Sequence, residues 1–185
     1  MKKSLFLISF LLMGLTSSCA KKAEASSQEP TTTEATSTTS SSFVVKKVDA
    51  NLTGASAFEE IKKNYAGKVV LIDFWATWCP PCRSAMTAMH DIKPALIEKG
   101  AQFVYITGET SPENDWKQMI PSIAGDHYRL TDQQWQELAS LLKMRGIPAY
   151  LILNKDGSEA FSNITSGGYP GNEVIQNNIE VALSK

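Results

Sequence analysis

Apolar positions along this chain switch between two spacings. From Val69 to Trp75 the run Val-Val-Leu-Ile-Asp-Phe-Trp is almost unbroken, as a strand covered on both faces requires. Phe43 to Val48 and Gln102 to Thr107 read as further strands, and His127 to Leu130 as a short one. A proline heads another apolar run in Arg145-Gly146-Ile147-Pro148-Ala149-Tyr150-Leu151-Ile152-Leu153, where a first strand position or an edge allows it. Asn154-Lys155-Asp156-Gly157 predicts a hairpin turn into a strand from Ser158 to Thr165. Helical spacing fills the gaps. It joins Phe58, Ile61 and Tyr65 in a helix over Ala55 to Tyr65, and Met86, Met89, Ile92 and Leu96 in one over Pro80 to Lys99 with a kink at Pro94. Ser111 is the expected N-cap of a helix through Ile120, with Pro112 in its first turn. Trp135, Leu138, Leu141 and Leu142 mark the buried side of a helix over Thr131 to Met144, and Val174, Ile175, Ile179 and Leu183 that of Asn172 to Leu183. Strand and helix signals thus alternate, which predicts an α/β fold. The helix after Val69 to Trp75 supplies the crossover that makes the next strand parallel.

The first 42 residues follow a different pattern. Lys2 and Lys3, the apolar run Leu5 to Leu15 and the small residues Thr16, Ser17 and Ser18 come in the order of an export signal, and the run is too short to span a bilayer. Residues 1–18 are therefore expected to be a signal peptide. Cys19 directly follows, as in a bacterial lipobox, although Thr16 stands where that motif carries Leu; lipidation of Cys19 is the expectation. Ser, Thr, Ala and Glu dominate to about Ser42, with too little apolar surface to offset ordering entropy, so 19–42 reads as a lipid-bearing cysteine and a flexible tether. Residues 43–185 have the length of one domain with a real core. The formal net charge is -1, with no basic stripe, which argues against nucleic acid as a partner.

Of three cysteines, assigning Cys19 to lipid leaves Cys79 and Cys82. Two cysteines two residues apart, where a strand gives way to a helix, can close a small disulfide and reopen it by exchange. Cys79 stands just before the first helical turn, where unpaired amides and the helix dipole favour a thiolate, so it is the expected nucleophile. Cys82, one turn on, is the expected resolving thiol. Pro80 and Pro81 lack N–H groups, which leaves the amides of Cys82 and Arg83 nearest the Cys79 sulfur and predicts moderate thiolate stabilisation. A CxxC alone also fits half of a zinc site or a structural bridge. Zinc would need a second cysteine pair, or His90 and His127 at a spacing far from the usual one.

The segment Val-Val-Leu-Ile-Asp-Phe-Trp-Ala-Thr-Trp-Cys-Pro-Pro-Cys, 69 to 82, resembles the active-site segment of the thioredoxin superfamily, and of its membrane-tethered TlpA/ResA-like branch in particular. The resemblance implies a thioredoxin-like fold: a central mixed sheet, helices on both faces, and an insertion before the proline-headed strand. It implies a cis bond between Ile147 and Pro148 beside the dithiol, with Ile147 offering backbone groups to an extended substrate. It places Asp73 at the position of a buried acid that accepts the resolving thiol's proton, and so makes Asp73 a general base. The lysine that thioredoxins keep near that acid has no clear counterpart, and Tyr105 is the nearest candidate. Trp75 is expected beneath the site, and Trp78, with Pro80 and Pro81, on the substrate side.

Three function classes fit a dithiol in such a chain. The first is a thiol-disulfide oxidoreductase tethered in the bacterial cell envelope, facing the periplasm or exterior. It would need no cofactor or metal, would act on disulfides of exported proteins, and would be recharged by a membrane electron donor such as a transmembrane thiol-disulfide relay. The second is a copper-handling protein with Cu(I) between Cys79 and Cys82; related copper proteins space the cysteines more widely and add a histidine. The third, a peroxiredoxin-type peroxidase, would need Pro and Thr where Ile72 and Ala76 stand.

Overall fold

The computed structural model describes residues 42–185; the expected signal peptide, Cys19 and nearly all of the tether lie outside the described residues. A six-stranded mixed sheet in the order β1-β4-β3-β2-β5-β6 forms the middle layer. Its strands are β1 (Phe43–Lys46), β2 (Val70–Phe74), β3 (Gln102–Gly108), β4 (Gly125–Leu130), β5 (Ala149–Leu153) and β6 (Glu159–Ser162). The first four in spatial order are mutually parallel, and β5 and β6 continue the sheet antiparallel. All five residues of β2 are buried, as its apolar run requires of a central strand.

The two faces carry separate cores. Side chains of β2 alternate across the sheet: Leu71 and Trp75 enter one cluster with Met89, Leu96, Tyr105, Tyr150, Ile175, Cys79 and Cys82. Val70, Ile72 and Phe74 enter the other, with Phe58, Ile61, Tyr128 and Leu138. The helices α2 (Pro80–Met89), α3 (Lys93–Glu98), α4 (Glu113–Met119) and α6 (Asn172–Leu183) supply the first cluster, and α1 (Gly54–Lys63) and α5 (Asp132–Leu141) the second.

Several boundaries differ from the sequence expectation. The long helix from Pro80 is two: α2 stops with His90 as its C-cap and α3 restarts at Lys93. Pro94 explains the break, because its ring would clash with the carbonyl four residues back, that of His90, and it has no N–H to give. Ser111 is not a cap. Position 112 precedes α4, with no side-chain cap, and the Ser111 hydroxyl is turned inward. Leu141 is 58% exposed, so the buried side of α5 is narrower than its periodicity predicts. Thr131 does cap α5, accepting from the Gln134 amide while the Gln134 side chain accepts from the Thr131 amide. The elements α4, β4 and α5 stand between β3 and β5, and β4 lies between β1 and β3 in the sheet. Among the described residues no helix is long and apolar enough to cross a membrane.

Candidate functional site

The site lies where β2 ends. The chain leaves Trp75, whose amide still bonds the Ile106 carbonyl at 3.1 Å, and turns through Ala76 to Cys79, the Cys79 amide donating to the Ala76 carbonyl at 3.1 Å. Cys79 is the N-cap of α2, with extended backbone angles, and the prolines occupy the first two helical positions. Cys79 and Cys82 are joined as a disulfide with an S–S distance of 2.03 Å. The Cys82 amide donates to the Cys79 sulfur at 3.2 Å. The second expected donor is engaged elsewhere, since the Arg83 amide bonds the Cys79 carbonyl at 3.3 Å. Both cysteines are buried, whereas Trp78 beside them is 59% exposed and Trp75 beneath them is fully enclosed.

A second segment meets the dithiol from β5. The Ile147–Pro148 bond is cis, and the Ile147 carbonyl oxygen lies 3.8 Å from the Cys79 sulfur. Downstream residues hold this turn: the Gly168 amide donates to the Pro148 carbonyl at 2.7 Å. Asn163 adds a clamp, its Oδ1 accepting from the Tyr150 amide and its Nδ2 donating to the Gly168 carbonyl, each at 2.7 Å. Gly167 takes a positive φ of 69°, and a side chain there would crowd the Gly146 carbonyl at 3.3 Å.

Ser111 was not foreseen as part of the site. Its hydroxyl accepts from the Thr77 amide at 3.0 Å and pairs with the Thr107 hydroxyl at 2.7 Å, tying the loop ahead of Cys79 to the end of β3. Arg129 on β4 donates to the Ser111 carbonyl at 3.0 Å, so β4 buttresses the same loop.

Asp73 is the next-to-last residue of β2, 1% exposed, with neither carboxylate oxygen hydrogen-bonded to the protein. Its register partners are Tyr105 on β3 and Tyr150 on β5. Leu71 and Trp75, two residues to either side, point into the cluster that holds the cysteines, so its carboxyl faces that side. Burial raises its proton affinity well above the usual carboxylate range, and the charge of Lys93 opposes that rise. Lys93 itself is 9% exposed and donates to the Tyr105 hydroxyl at 2.6 Å and to the Ala124 carbonyl. Burial lowers its pKa to about 8, with Asp73 pulling the other way. Sequence offers no clear lysine for this acid and leaves Tyr105 as the nearest candidate; in the structure the charge of Lys93, at the start of α3, reaches it.

The arrangement can store two electrons as dithiol or disulfide, and places beside the sulfurs the Ile147 carbonyl, an exposed indole and a buried carboxyl. A family model described as thioredoxin-like matches residues 67–159, half of the chain, and the chain belongs to that family. It is similar to thiol-disulfide oxidoreductase ResA of Bacillus thuringiensis (strain Al Hakam), 25% identical over 95 residues, 51% of this chain and 54% of the relative. It is also similar to thioredoxin-like protein YneN of Bacillus subtilis (strain 168), 37% identical over 83 residues, 45% and 46% of the two chains. The chain spans about half the length of these relatives. Among solved structures it shares its fold with the thioredoxin domain of a thiol-disulfide oxidoreductase from Bacteroides vulgatus, at a TM-score of 0.56 and 20% identity over 65% of this chain and 83% of the other. A DsbE-type thiol:disulfide interchange protein from Chlorobium tepidum gives a TM-score of 0.53 and 24% identity, over 65% and 84%.

Proposed function

We propose that this protein is a thiol-disulfide oxidoreductase that reduces disulfides of exported proteins outside the cytoplasm. The observation that carries the reading is the placement of Cys79 as N-cap of α2, its sulfur accepting from the Cys82 amide at 3.2 Å and facing the Ile147 carbonyl at 3.8 Å. In the reduced form the Cys79 thiolate attacks one sulfur of a substrate disulfide; a Cys79-substrate bond forms, and the other substrate sulfur leaves as a thiolate that takes a proton from water. Asp73 then accepts the proton of the Cys82 thiol. The Cys82 sulfur attacks Cys79, the intramolecular disulfide closes, and the second substrate sulfur departs. Two electrons have passed to the substrate, leaving the oxidised state seen here.

In this reading Ile147 and Pro148 align an extended substrate segment, and Trp78, Pro80 and Pro81 form the surface around the sulfur. Residues 1–18 direct export, Cys19 carries the lipid, 19–42 tether the domain 43–185 to the membrane of a bacterial envelope, and a membrane thiol-disulfide relay returns the electrons. Reduction of insulin by the dithiol form tests the activity, and Cys82→Ser tests the roles by trapping substrates on Cys79 as mixed disulfides. Tight Cu(I) binding without insulin reduction would overturn the reading in favour of copper handling. Incorporation of labelled palmitate into the wild type and not into Cys19→Ala tests the anchor.

A further inference from the structure

Between α3 and the starts of β1, β3 and β4 lies a cleft of about 360 Å³, at the small end of ligand pockets, which run to roughly 300–1,000 Å³. Pro94 and Ile97 line it from α3, Phe103 from β3, and Ala101 and Ala124 from the residues just ahead of β3 and β4. These walls are apolar. The cysteines stand at the other end of the sheet, where β2 finishes, and no residue of the dithiol or of the cis-proline turn lines the cleft.

The charges in this cleft do not balance. Asp126 lines it, but its carboxylate is already engaged by the Lys46 ammonium at 2.7 Å and the Tyr65 hydroxyl at 2.6 Å. His90, exposed beside it, brings no negative charge. Lys93, 9% exposed, also lines the cleft and forms no ion pair with a carboxylate among the described residues. Its ammonium donates to the Tyr105 hydroxyl at 2.6 Å and to the Ala124 carbonyl, and lies 5.0 Å from the centre of the Phe103 ring. Ala124 and Phe103 are themselves lining residues, so the ammonium stands at the cleft wall with its third N–H unspent. A cation withdrawn from water without a counterion is costly, and an anion entering the cleft would offset that cost.

We propose that this cleft is a binding site for a medium-chain carboxylate, its head on the Lys93 ammonium and its chain along Pro94, Ile97 and Phe103. One unspent donor suits a singly charged head, whereas a phosphate would leave most of its acceptor oxygens unmet. The apolar walls select against a short hydrophilic anion, because burial of the ligand's chain supplies the rest of the affinity. The site is independent of the dithiol chemistry: binding breaks and forms no covalent bond, and it stands whether or not the protein reduces disulfides.

The test titrates sodium octanoate into the isotope-labelled full chain and follows the backbone amide resonances of Ala101, Phe103 and Gly125. Site-resolved shifts are the readout, because total binding would also count octanoate taken up by the apolar run Leu5 to Leu15. Saturable shifts at these amides are expected, with octanol, which keeps the chain and lacks the charge, and acetate, which keeps the head and lacks the chain, each binding at least about tenfold more weakly. Lys93→Met is expected to lower octanoate affinity by about tenfold or more. If Lys93→Met does not fold, Ile97→Glu carries the test: Ile97 is 40% exposed and tolerates a charge, which there repels the carboxylate and weakens binding to a similar degree. Octanol binding as tightly as octanoate, or undiminished affinity in a folded Lys93→Met and in Ile97→Glu, overturns the proposal. So do cleft amides that shift with protein concentration alone, which would assign the cleft to a second copy of the chain. Amides that octanoate leaves unmoved overturn it as well, and turn attention to residues 1–41, which join the domain at Ser42 on the cleft's edge.

Discussion

The Cys82 amide donates to the Cys79 sulfur at 3.2 Å, while the next amide, that of Arg83, is spent on the Cys79 carbonyl at 3.3 Å. The prolines between the cysteines contribute no donors, so one hydrogen bond and the dipole of α2 are what the backbone supplies to a thiolate. The Cys79 thiol is therefore expected to be more acidic than an ordinary cysteine, and well short of the most acidic CxxC thiols at about 3.5. Ultraviolet thiolate absorbance of Cys82→Ser measures it. A midpoint near the acidic extreme would show that some donor outside the backbone dominates.

Ser111 receives the Thr77 amide in a fully buried position. Ser111→Ala strands that N–H away from water, at a cost of about 1–3 kcal/mol. Because the loop it anchors leads directly to Cys79, the variant is expected to lower the urea midpoint and also slow attack on a small disulfide. Loss of stability with an unaltered attack rate would reduce Ser111 to a structural role.

Ser111 also shows where sequence reading stops. Its residue type suited a helix cap, and nothing local revealed that the nearby loop would compete for the hydroxyl. By contrast β2, the dithiol turn and the proline-headed β5 were legible because each is declared by contiguous residues: an unbroken apolar run, a fixed spacing, a Gly-Ile-Pro. The placement of the Lys93 charge near Asp73, by way of the Tyr105 hydroxyl, was not, since it depends on where α2 breaks and on register between strands remote in sequence. Leu141 failed for a related reason: periodicity marks which residues share a stripe, and the width of the stripe that is covered depends on the neighbouring elements.

Asp73 carries a stability signature of definite sign. Its folded proton affinity is raised, so the unfolded chain releases this proton first; the stability it contributes is complete below about 3.9 and is lost as pH rises toward its folded value. Lys93, with its folded pKa of about 8, is charged in both states over the lower part of this range and adds no slope there. Asp73→Asn is therefore expected to gain on the wild type as pH rises from 4, at up to about 1.4 kcal/mol per unit, even as resolution slows. Paired urea titrations at pH 4 and 7 measure the gain; a constant difference between the two proteins would mean that Asp73 ionises normally in the fold.

His127 acts in the opposite direction. It is fully buried on β4, stacked against Tyr105 with centroids 4.9 Å apart, and its Nε2 pairs with the Ile123 carbonyl at 2.8 Å while Nδ1 has no partner. Protonation would place a second N–H where nothing accepts it, and burial lowers the pKa to about 4, the Ile123 carbonyl and Asp126 opposing and Lys93 assisting. The unfolded chain therefore binds this proton first: stability conferred by neutral His127 is complete above about 6.5 and is lost as pH falls toward 4, by about 3 kcal/mol in all. His127→Phe keeps the stack and removes the titration, at the cost of leaving the Ile123 carbonyl unpaired, about 1 kcal/mol. The variant is expected to be the less stable protein at pH 7 and the more stable one at pH 4.5, with the two curves crossing between. Taking the difference between variant and wild type at each pH isolates His127 from Asp73, whose slope over the same interval has the other sign and is common to both proteins. Parallel curves would show that the imidazole finds an acceptor for its second proton.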